Sequence, residues 1–222
     1  MKRRPPKRNV RNVAAIDNNW RGIITNKHNE VVQYESFQEL ILIMKLEKDD
    51  QVENYCSQPL TISFVDDKGH QRRYTPDFKV WRADGSIEIH EMTISDRQQL
   101  PATRQREEMG YQVFSASGWK YVVHNEKSLP STTHITNLLA LMRYRATGYA
   151  HAEVEMAAKL RVSAQPIKML PLVQELCAAL SLPRALVVSA LCHYIWRDLF
   201  IINYERLLFE DATVSPKATI WR

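Results

Sequence analysis

The segment Gln71–Thr93, QRRYTPDFKVWRADGSIEIHEMT, carries the clearest strand signals in the chain. Two runs of β-branched and aromatic residues, 71–81 and 87–94, flank Asp84-Gly85, a dipeptide typical of tight hairpin turns. The pattern therefore predicts two consecutive antiparallel strands joined by a short turn.

The flanking sequence adds further strands and helices. An earlier run, 58–65, alternates as a strand does and ends in the turn signal Asp66-Asp67-Lys68-Gly69, so a meander is predicted. Helices are predicted from Gln33 to about Lys48 and over 97–109, and closing strands over 111–115 and 119–124. The predicted fold class is α/β, with one curved mixed sheet and flanking helices.

Three carboxylates stand at informative positions in these elements. Glu39 lies on the first helix beside its apolar stripe, and Asp77 and Glu91 lie on consecutive strands. Mg²⁺ prefers oxygen ligands and usually keeps several waters, so two or three converging acids and a phosphate oxygen complete a site. Together the acids predict the layout of a magnesium-dependent nuclease. Singly, each is equally typical of a solvated helix edge or a turn.

The two-residue period of the third strand decides which side chains share a face. One face begins apolar and becomes polar toward the strand end: Ile87, Ile89, Glu91, Thr93. The opposite face holds Glu88, His90 and Met92. A polar end of this kind suits a site at the rim of a sheet, where Asp77 can reach it from the neighbouring strand.

The positive charge of the chain is concentrated in its first residues. The formal net charge is +5, and residues 1–16 hold six basic residues and no acid, which leaves 24 basic and 25 acidic residues elsewhere. This segment has neither the apolar core of a secretory signal nor the apolar face of a transit helix. Phosphate binding with counterion release is the predicted use, and a solvated tail is the alternative. The candidate DNA-binding residues are Arg3, Arg4, Lys7, Arg8 and Arg11.

Several classes of protein are disfavoured by the remaining composition. The longest apolar runs fall far short of the ~18 residues that a membrane-spanning helix requires. Cys56, Cys177 and Cys192 are odd in number and widely spaced, which predicts reduced, mostly buried thiols in the cytoplasm and no zinc site. The histidines form no pair with metal-ligand spacing.

An ordered set of motifs resembles the TnsA family, the endonuclease subunits of heteromeric cut-and-paste bacterial transposons. The set comprises Tyr34-Glu35-Ser36 with Glu39, Gln58-Pro59, Arg73–Val80, the Glu91-x-Thr93 strand, Trp119–Val123 and the 138–145 segment. The resemblance implies a nuclease domain of the PD-(D/E)XK restriction-enzyme fold. It also implies that Glu39, Asp77 and Glu91 bind Mg²⁺, or Mn²⁺ in its place.

The departure from the family pattern is at Thr93, where the resemblance implies a lysine beside the scissile phosphate. Threonine cannot supply that charge. Three explanations stay open: Glu88-Ile89-His90 is the functional triplet and His90 replaces the amine, Lys79 lends its amine from the neighbouring strand, or the subunit has lost turnover. The buried approach through Ile87 and Ile89 favours the Glu91 register over the Glu88 register.

A polar, proline-broken segment at 125–133 predicts a domain boundary. The predicted organisation is a basic tail over 1–16, a nuclease domain over 17–127 and a mainly helical, winged-helix-like domain over 134–222. Helices are predicted over 135–145, 152–160, 168–180 and 184–197, and a hairpin over 200–209 and 213–221. The last helix is apolar, which favours burial or a protein-binding surface over reading of a DNA groove.

By the resemblance, the protein is a bacterial cytoplasmic subunit that nicks the 5′ side of transposon ends. The implied partners are double-stranded DNA at those ends, a TnsB-like transposase that cuts the 3′ side, and a TnsC-like AAA+ ATPase. Two alternatives remain: a catalytically impaired adaptor that bridges these partners, and an unrelated PD-(D/E)XK nuclease that acts alone.

Overall fold

The computed structural model describes residues 20–216, and the chain divides after Leu129 into two compact units. The candidate DNA-binding residues of the basic tail, Arg3, Arg4, Lys7, Arg8 and Arg11, lie outside the described residues. Each unit is described separately below.

The first unit is a mixed α/β structure. Its elements in chain order are β1 (Gly22–Thr25), β2 (Val31–Tyr34), α1 (Phe37–Lys48), β3 (Val52–Ser57), β4 (Ile62–Val65), β5 (Gln71–Tyr74), β6 (Phe78–Arg82), β7 (Ile87–Met92), α2 (Ser95–Gln98), α3 (Pro101–Ala116) and β8 (Lys120–His124). The main sheet has the order β3-β6-β7-β8, and β1-β2 and β4-β5 form separate hairpins. The β3, β6 and β7 pairings are antiparallel and the β7-β8 pairing is parallel, so the sheet is mixed, as predicted.

The two faces of the main sheet bury different clusters. Helix α1 covers one face, where a buried cluster comprises Val32, Leu42, Ile43, Leu46, Val52, Tyr55, Phe78 and Val80. The other face buries Tyr74, Ile89 and Phe114, the last of which comes from α3. Alternation along β6 and β7 therefore sends Phe78 and Val80 toward α1 but Ile89 toward α3.

The first helix is shorter than predicted. Residues 31–34 pair with β1 instead of continuing the helical pattern. Ser36 ends this strand and caps α1, since its hydroxyl accepts a hydrogen bond from the Glu39 backbone N–H at 3.1 Å. The predicted start at Gln33 is therefore wrong by about one turn.

The strand predicted over 71–81 is two strands, because Pro76 interrupts it. Proline has no N–H to donate to a ladder, and 75–77 separate β5 from β6. Likewise the strand predicted over 58–65 begins only at Ile62, and the preceding β3 was not predicted. Gln58 turns the chain between them with a positive φ of 46°. In place of the predicted meander, β4 and β5 form a hairpin of their own, and β6 and β7 belong to the main sheet.

The strand predicted over 111–115 is also wrong, since these residues continue α3. Short aromatic and apolar runs are ambiguous between strand and helix. Here Gly110 and Phe114, one turn apart, are buried, while Tyr111 is exposed. The predicted polar helix at 97–109 is split into α2 and α3, and Pro101 stands in the first turn of α3.

The second unit is mainly helical. It contains α4 (Thr132–Met142), α5 (Ala152–Ala164), β9 (Ile167–Lys168), α6 (Met169–Leu180), α7 (Arg184–Trp196), β10 (Phe200–Ile202) and β11 (Thr213–Pro216). The four helices agree with the predicted ones to within a few residues at each end. The three strands form an antiparallel sheet in the order β10-β11-β9.

Helix α7 lies in the core of this unit. Its second half, from Ala190 to Trp196, is buried throughout, and it contacts α4, α5 and α6. The apolar character of this helix is therefore explained by packing.

The structure also bears on the apolar segments and on the cysteines noted in the sequence. Between residues 20 and 216, no helix is long and apolar enough to cross a membrane. The three cysteines are free thiols, and burial raises the pKa of Cys56 and of Cys192 to about 12.

A buried asparagine fixes the loop between β10 and β11. Asn137 donates to the carbonyl oxygens of Tyr204 and Arg206 at 2.9 and 2.8 Å and accepts from the Leu208 N–H at 2.9 Å. One side chain thus satisfies three buried backbone groups of the loop.

We expect Asn137→Ala to lower the free energy of unfolding of the second unit by about 3 kcal/mol, because three backbone groups lose their partner. Hydrogen exchange at the Leu208 amide should speed up accordingly. Thr136→Ala, on the exposed side of the same helix, is the control and should leave both quantities nearly unchanged. Slow exchange at Leu208 in the Asn137 variant would contradict this assignment.

Candidate active site

A polar cavity of about 730 Å³ opens in the first unit beside the ends of β6 and β7. All four predicted catalytic positions line it: Glu39, Asp77, Glu91 and Thr93. The structure therefore brings together side chains from α1, from the residue before β6, from β7 and from the residue after β7.

Asp77 directly precedes β6 and lies next to Glu91. The register pairs Phe78 with His90, so continuing it by one residue places Asp77 opposite Glu91. One carboxylate oxygen, Oδ2, accepts a hydrogen bond from the Met92 N–H at 2.7 Å. Burial raises the pKa of Asp77 well above its usual range, and the nearby charges of Glu91 and Glu39 raise it further.

Glu91 is 4% exposed and is held by donors at both oxygens. The Tyr74 hydroxyl donates to Oε2 at 2.8 Å, and the Arg106 Nη2 lies 3.1 Å from Oε1. Burial raises the pKa of Glu91 to about 7, although Arg106 and the Tyr74 hydrogen bond act in the opposite direction. Glu91 is thus a buried acid and Asp77 a partly buried one, and the positive charge around them does not offset the effect of burial.

Glu39 occupies the first turn of α1, where its carboxylate accepts hydrogen bonds from the two residues that precede the helix. Its Oε2 accepts from the Glu35 N–H at 2.8 Å and its Oε1 from the Ser36 hydroxyl at 3.0 Å. The side chain therefore has a structural role at the helix end as well as a place in the cavity. Its charge is close enough to raise the pKa of Asp77.

Comparison with known protein families bears on this arrangement. Residues 49–126 match the family described as the TnsA-like endonuclease N-terminal domain. Over this segment, the protein is TnsA-like. The match covers about a third of the chain and includes Asp77, Glu91 and Thr93, whereas Glu39 lies before it. A search of curated proteins gave no match.

Thr93, the departure from the TnsA pattern, lies just beyond the end of β7. It is 7% exposed, and its N–H donates to the His124 carbonyl oxygen at 2.9 Å. The cavity wall at this position therefore carries a hydroxyl and no positive charge.

The two suggested substitutes for the lysine of the TnsA pattern lie outside the cavity lining. The Lys79 amine stands 3.5 Å from the ring centroid of Trp119. His90 lies on the opposite face of the sheet from Glu91, where its Nε2 is 2.9 Å from Glu88 Oε2 and its Nδ1 is 2.9 Å from His124 Nε2. The alternative Glu88-Ile89-His90 register would therefore place its acid away from Asp77.

The contact between His90 and His124 was not predicted, because it arises from the parallel pairing of β7 and β8. The two side chains come from different strands that are far apart in sequence. Burial lowers the pKa of both histidines, that of His124 to about 4.

Sequence reasoning also missed four charged residues that line the cavity: Arg21, Glu35, Arg97 and Arg106. Glu35 is a fourth acid there, and its Oε1 accepts a hydrogen bond from Gln58 Nε2 at 2.8 Å. Arg106 is a cation on α3 in contact with Glu91. The helical spacing of Arg106, Gly110 and Phe114 could have indicated that Arg106 faces the sheet, but the wrong strand assignment at 111–115 concealed it.

The donor set of the TnsA-like cavity fits a hard divalent cation in chemical type. Its acids supply carboxylate oxygens, and burial raises the pKa values of Asp77 and Glu91, so a bound cation would stabilise their charged forms. Among residues 20–216, however, no three acidic, histidine or cysteine side chains are grouped closely enough to hold a metal as they stand. Glu39 is turned to its cap and Glu91 to Arg106, so binding requires these side chains to rotate.

The raised pKa of Glu91 predicts a pH-dependent stability. The folded state holds the Glu91 proton more tightly than the unfolded state, so the unfolding free energy falls as pH rises from about 4.5 to about 7. In metal-free protein we expect this group to account for a loss on the order of 3 kcal/mol across that window. Urea denaturation on either side of the window measures it. Glutamine does not titrate, so the unfolding free energy of Glu91→Gln should fall less than that of wild type between these pH values. An equal fall in the variant would refute the assignment.

The hydrogen bonds at the start of α1 allow two roles of Glu39 to be separated. Glu39→Gln keeps a side chain that can hydrogen-bond there, so its unfolding free energy should stay within about 0.5 kcal/mol of wild type, whereas Glu39→Ala should lose about 1 kcal/mol. If Glu39 also binds a divalent ion, both variants should bind Mn²⁺ more weakly, as measured by calorimetry. If both variants bind Mn²⁺ with wild-type affinity, Glu39 has only its structural role at the start of α1.

Proposed function

We propose that this protein is a DNA endonuclease subunit of a heteromeric transposase that nicks the 5′ side of transposon ends by metal-dependent phosphodiester hydrolysis. The observation that carries the proposal is a pair of neighbouring acids within the TnsA-like segment, buried Glu91 on β7 and partly buried Asp77 directly before β6. Structural ion pairs are normally balanced, whereas these two acids repel one another in a cavity open to a substrate.

In the proposed site Asp77, Glu91 and Glu39 hold Mg²⁺, with Mn²⁺ as an alternative and the Met92 carbonyl as an additional ligand. A bound divalent ion would supply an activated water and stabilise charge on the leaving 3′ oxygen. Tyr74 keeps Glu91 directed into the cavity by its hydrogen bond. The Met92 N–H does the same for Asp77.

Positive side chains on the cavity wall support a phosphate substrate. Arg97 from α2 and Arg106 from α3 line the same cavity as the acids. Guanidinium groups bind phosphate oxygens through paired hydrogen bonds. A cavity lined by both acids and arginines therefore suits a phosphodiester bound to a cation.

For the second unit we infer a winged-helix-like module. The order α5, β9, α6, α7, β10 and β11, with β11 paired to both β9 and β10, supports this inference. The second half of α7 is buried, which argues against its use as a recognition helix in a DNA groove. Contacts with a TnsC-like ATPase and a TnsB-like transposase remain part of the proposal, and they would use surfaces other than the buried side of α7.

A second candidate function is a catalytically impaired adaptor that bridges the transposase, the ATPase regulator and DNA. The observation in its favour is Thr93, which leaves the strand end without the charge of the TnsA pattern. The two candidates differ in turnover, not in partners.

The test is strand cleavage in the full assembly. The chain is combined with the TnsB-like and TnsC-like proteins, a transposon-end duplex and Mg²⁺, and 5′-strand nicking is measured for wild type and Asp77→Ala. We expect nicking by wild type and a loss of at least 10²-fold in the variant, because the central acid is removed. Glu108→Gln, an exposed acid on α3, is the control and should nick normally. No difference between wild type and Asp77→Ala, or no nicking by either, defeats the endonuclease proposal, and the latter favours the adaptor.

A further inference from the structure

Arg106 contacts Glu91, the buried acid of the cavity. Arg106 lies near the middle of α3, and its Nη2 is 3.1 Å from Glu91 Oε1. Its guanidinium carbon is 5.5 Å from the centroid of the Tyr74 ring. The group is therefore placed by both an ion pair and an aromatic face.

A close approach of α3 to the sheet makes this contact possible. Gly110 lies one turn after Arg106, and a Cβ there would be 3.0 Å from Tyr121 Cζ and 3.1 Å from Tyr74 Cε1. Only a residue without a side chain lets the helix rest on these two rings without displacing them. Arg106 is thus brought within reach of Glu91 by the glycine that follows it.

Glu91 does not depend on Arg106 for its orientation. The Tyr74 hydroxyl donates to the other carboxylate oxygen, and Tyr74 is itself 2.8 Å from the Tyr121 hydroxyl. These two tyrosines hold Glu91 from the sheet side. Arg106 can therefore leave Oε1 without releasing the carboxylate.

Arg106 also retains hydrogen-bonding capacity toward a ligand. Its side chain is 35% exposed, and it lines the cavity. Its Nε is buried and has no hydrogen-bond partner among the described residues. A guanidinium has five donors, so a phosphate oxygen could be bound while the helix stays in place.

We propose that Arg106 supplies the positive charge that Thr93 lacks: it is the counterion of Glu91 in the metal-free protein and binds the scissile phosphate when the site is loaded. This inference rests on the proposed endonuclease function. In the hydrolysis a water oxygen bonds to phosphorus, the bond from phosphorus to the 3′ oxygen breaks, and the 3′ oxygen ends protonated. Arg106 keeps all of its protons and stabilises charge on the non-bridging oxygens.

The other cations are less well placed for this role. Lys79 lies over Trp119 and outside the cavity lining. Arg97 lines the cavity, but no ion pair joins it to Asp77 or Glu91 among the described contacts. Arg106 combines contact with Glu91 and a position on the cavity wall.

The first measurement is single-turnover nicking in the full assembly at saturating Mg²⁺. Arg106→Gln should nick about 10²-fold more slowly than wild type, and Arg106→Lys, which keeps a cation, should nick faster than Arg106→Gln. The double variant that adds Thr93→Lys to Arg106→Gln should nick at least tenfold faster than Arg106→Gln alone, because a lysine then supplies positive charge from the end of β7. Arg104→Gln, on the same helix but outside the cavity lining, is the matched control and should retain wild-type nicking.

The second measurement is Mn²⁺ binding by the chain without DNA, followed by calorimetry. Because Arg106 competes with a divalent ion for Glu91, Arg106→Gln should bind Mn²⁺ several-fold more tightly than wild type. A residue with only a structural role would not combine tighter metal binding with slower nicking. Circular dichroism checks that each variant is folded. If Arg106→Gln is unfolded, Arg106→Lys is compared with wild type in its place.

The outcomes separate this inference from the endonuclease proposal. Wild-type nicking together with undiminished nicking by Arg106→Gln overturns the role of Arg106 and leaves the endonuclease intact. Absence of nicking by wild type overturns the endonuclease and with it the phosphate contact. In that case unchanged or weaker Mn²⁺ binding by Arg106→Gln also overturns the counterion role.

Discussion

A pair of neighbouring acids, Asp77 and Glu91, sets the electrostatics of the cavity in the first unit. Antiparallel pairing of β6 and β7 sets the two carboxylates opposite each other, and the surrounding structure buries Glu91 and partly buries Asp77. Two acids this close and this shielded from water cannot both be charged without a free-energy cost, unless positive charge is nearby. Tyr74 and Arg106 reduce this cost for Glu91, and the backbone of Met92 reduces it for Asp77. The site is therefore held in a state that favours a proton or a cation.

The same sheet carries a second polar cluster on its other side. Glu88 contacts Arg82, Lys120 and His90, so its charge is balanced, and its pKa is lowered to about 2 even though burial acts to raise it. Two glutamates three positions apart on one strand thus have opposite electrostatic environments. The contrast explains why Glu91 rather than Glu88 is suited to bind an ion.

The sequence was sufficient to predict the α/β class, the Asp84-Gly85 hairpin and the helices of the second unit. These features follow from local periodicity and turn residues. The predicted site residues Glu39, Asp77 and Glu91 line one cavity, but Glu39 and Glu91 are engaged there by other partners. The interruption at Pro76 follows from the missing N–H of proline and was overlooked, whereas the helical state of 111–115 depends on the packing of Gly110 and Phe114. The contact between Arg106 and Glu91 depends on how closely α3 approaches the sheet, which no short-range pattern encodes.

Pro76 has a further consequence for how this molecule can vary. Because it detaches the β4-β5 hairpin from the main sheet, the Asp66–Gly69 tip belongs to a ladder of its own. Residues inserted at that tip would lengthen an independent ribbon, and the register that fixes Asp77 against Glu91 would not shift. The hairpin is therefore a place where an epitope or a reporter group can be attached while the spacing of the two acids stays the same.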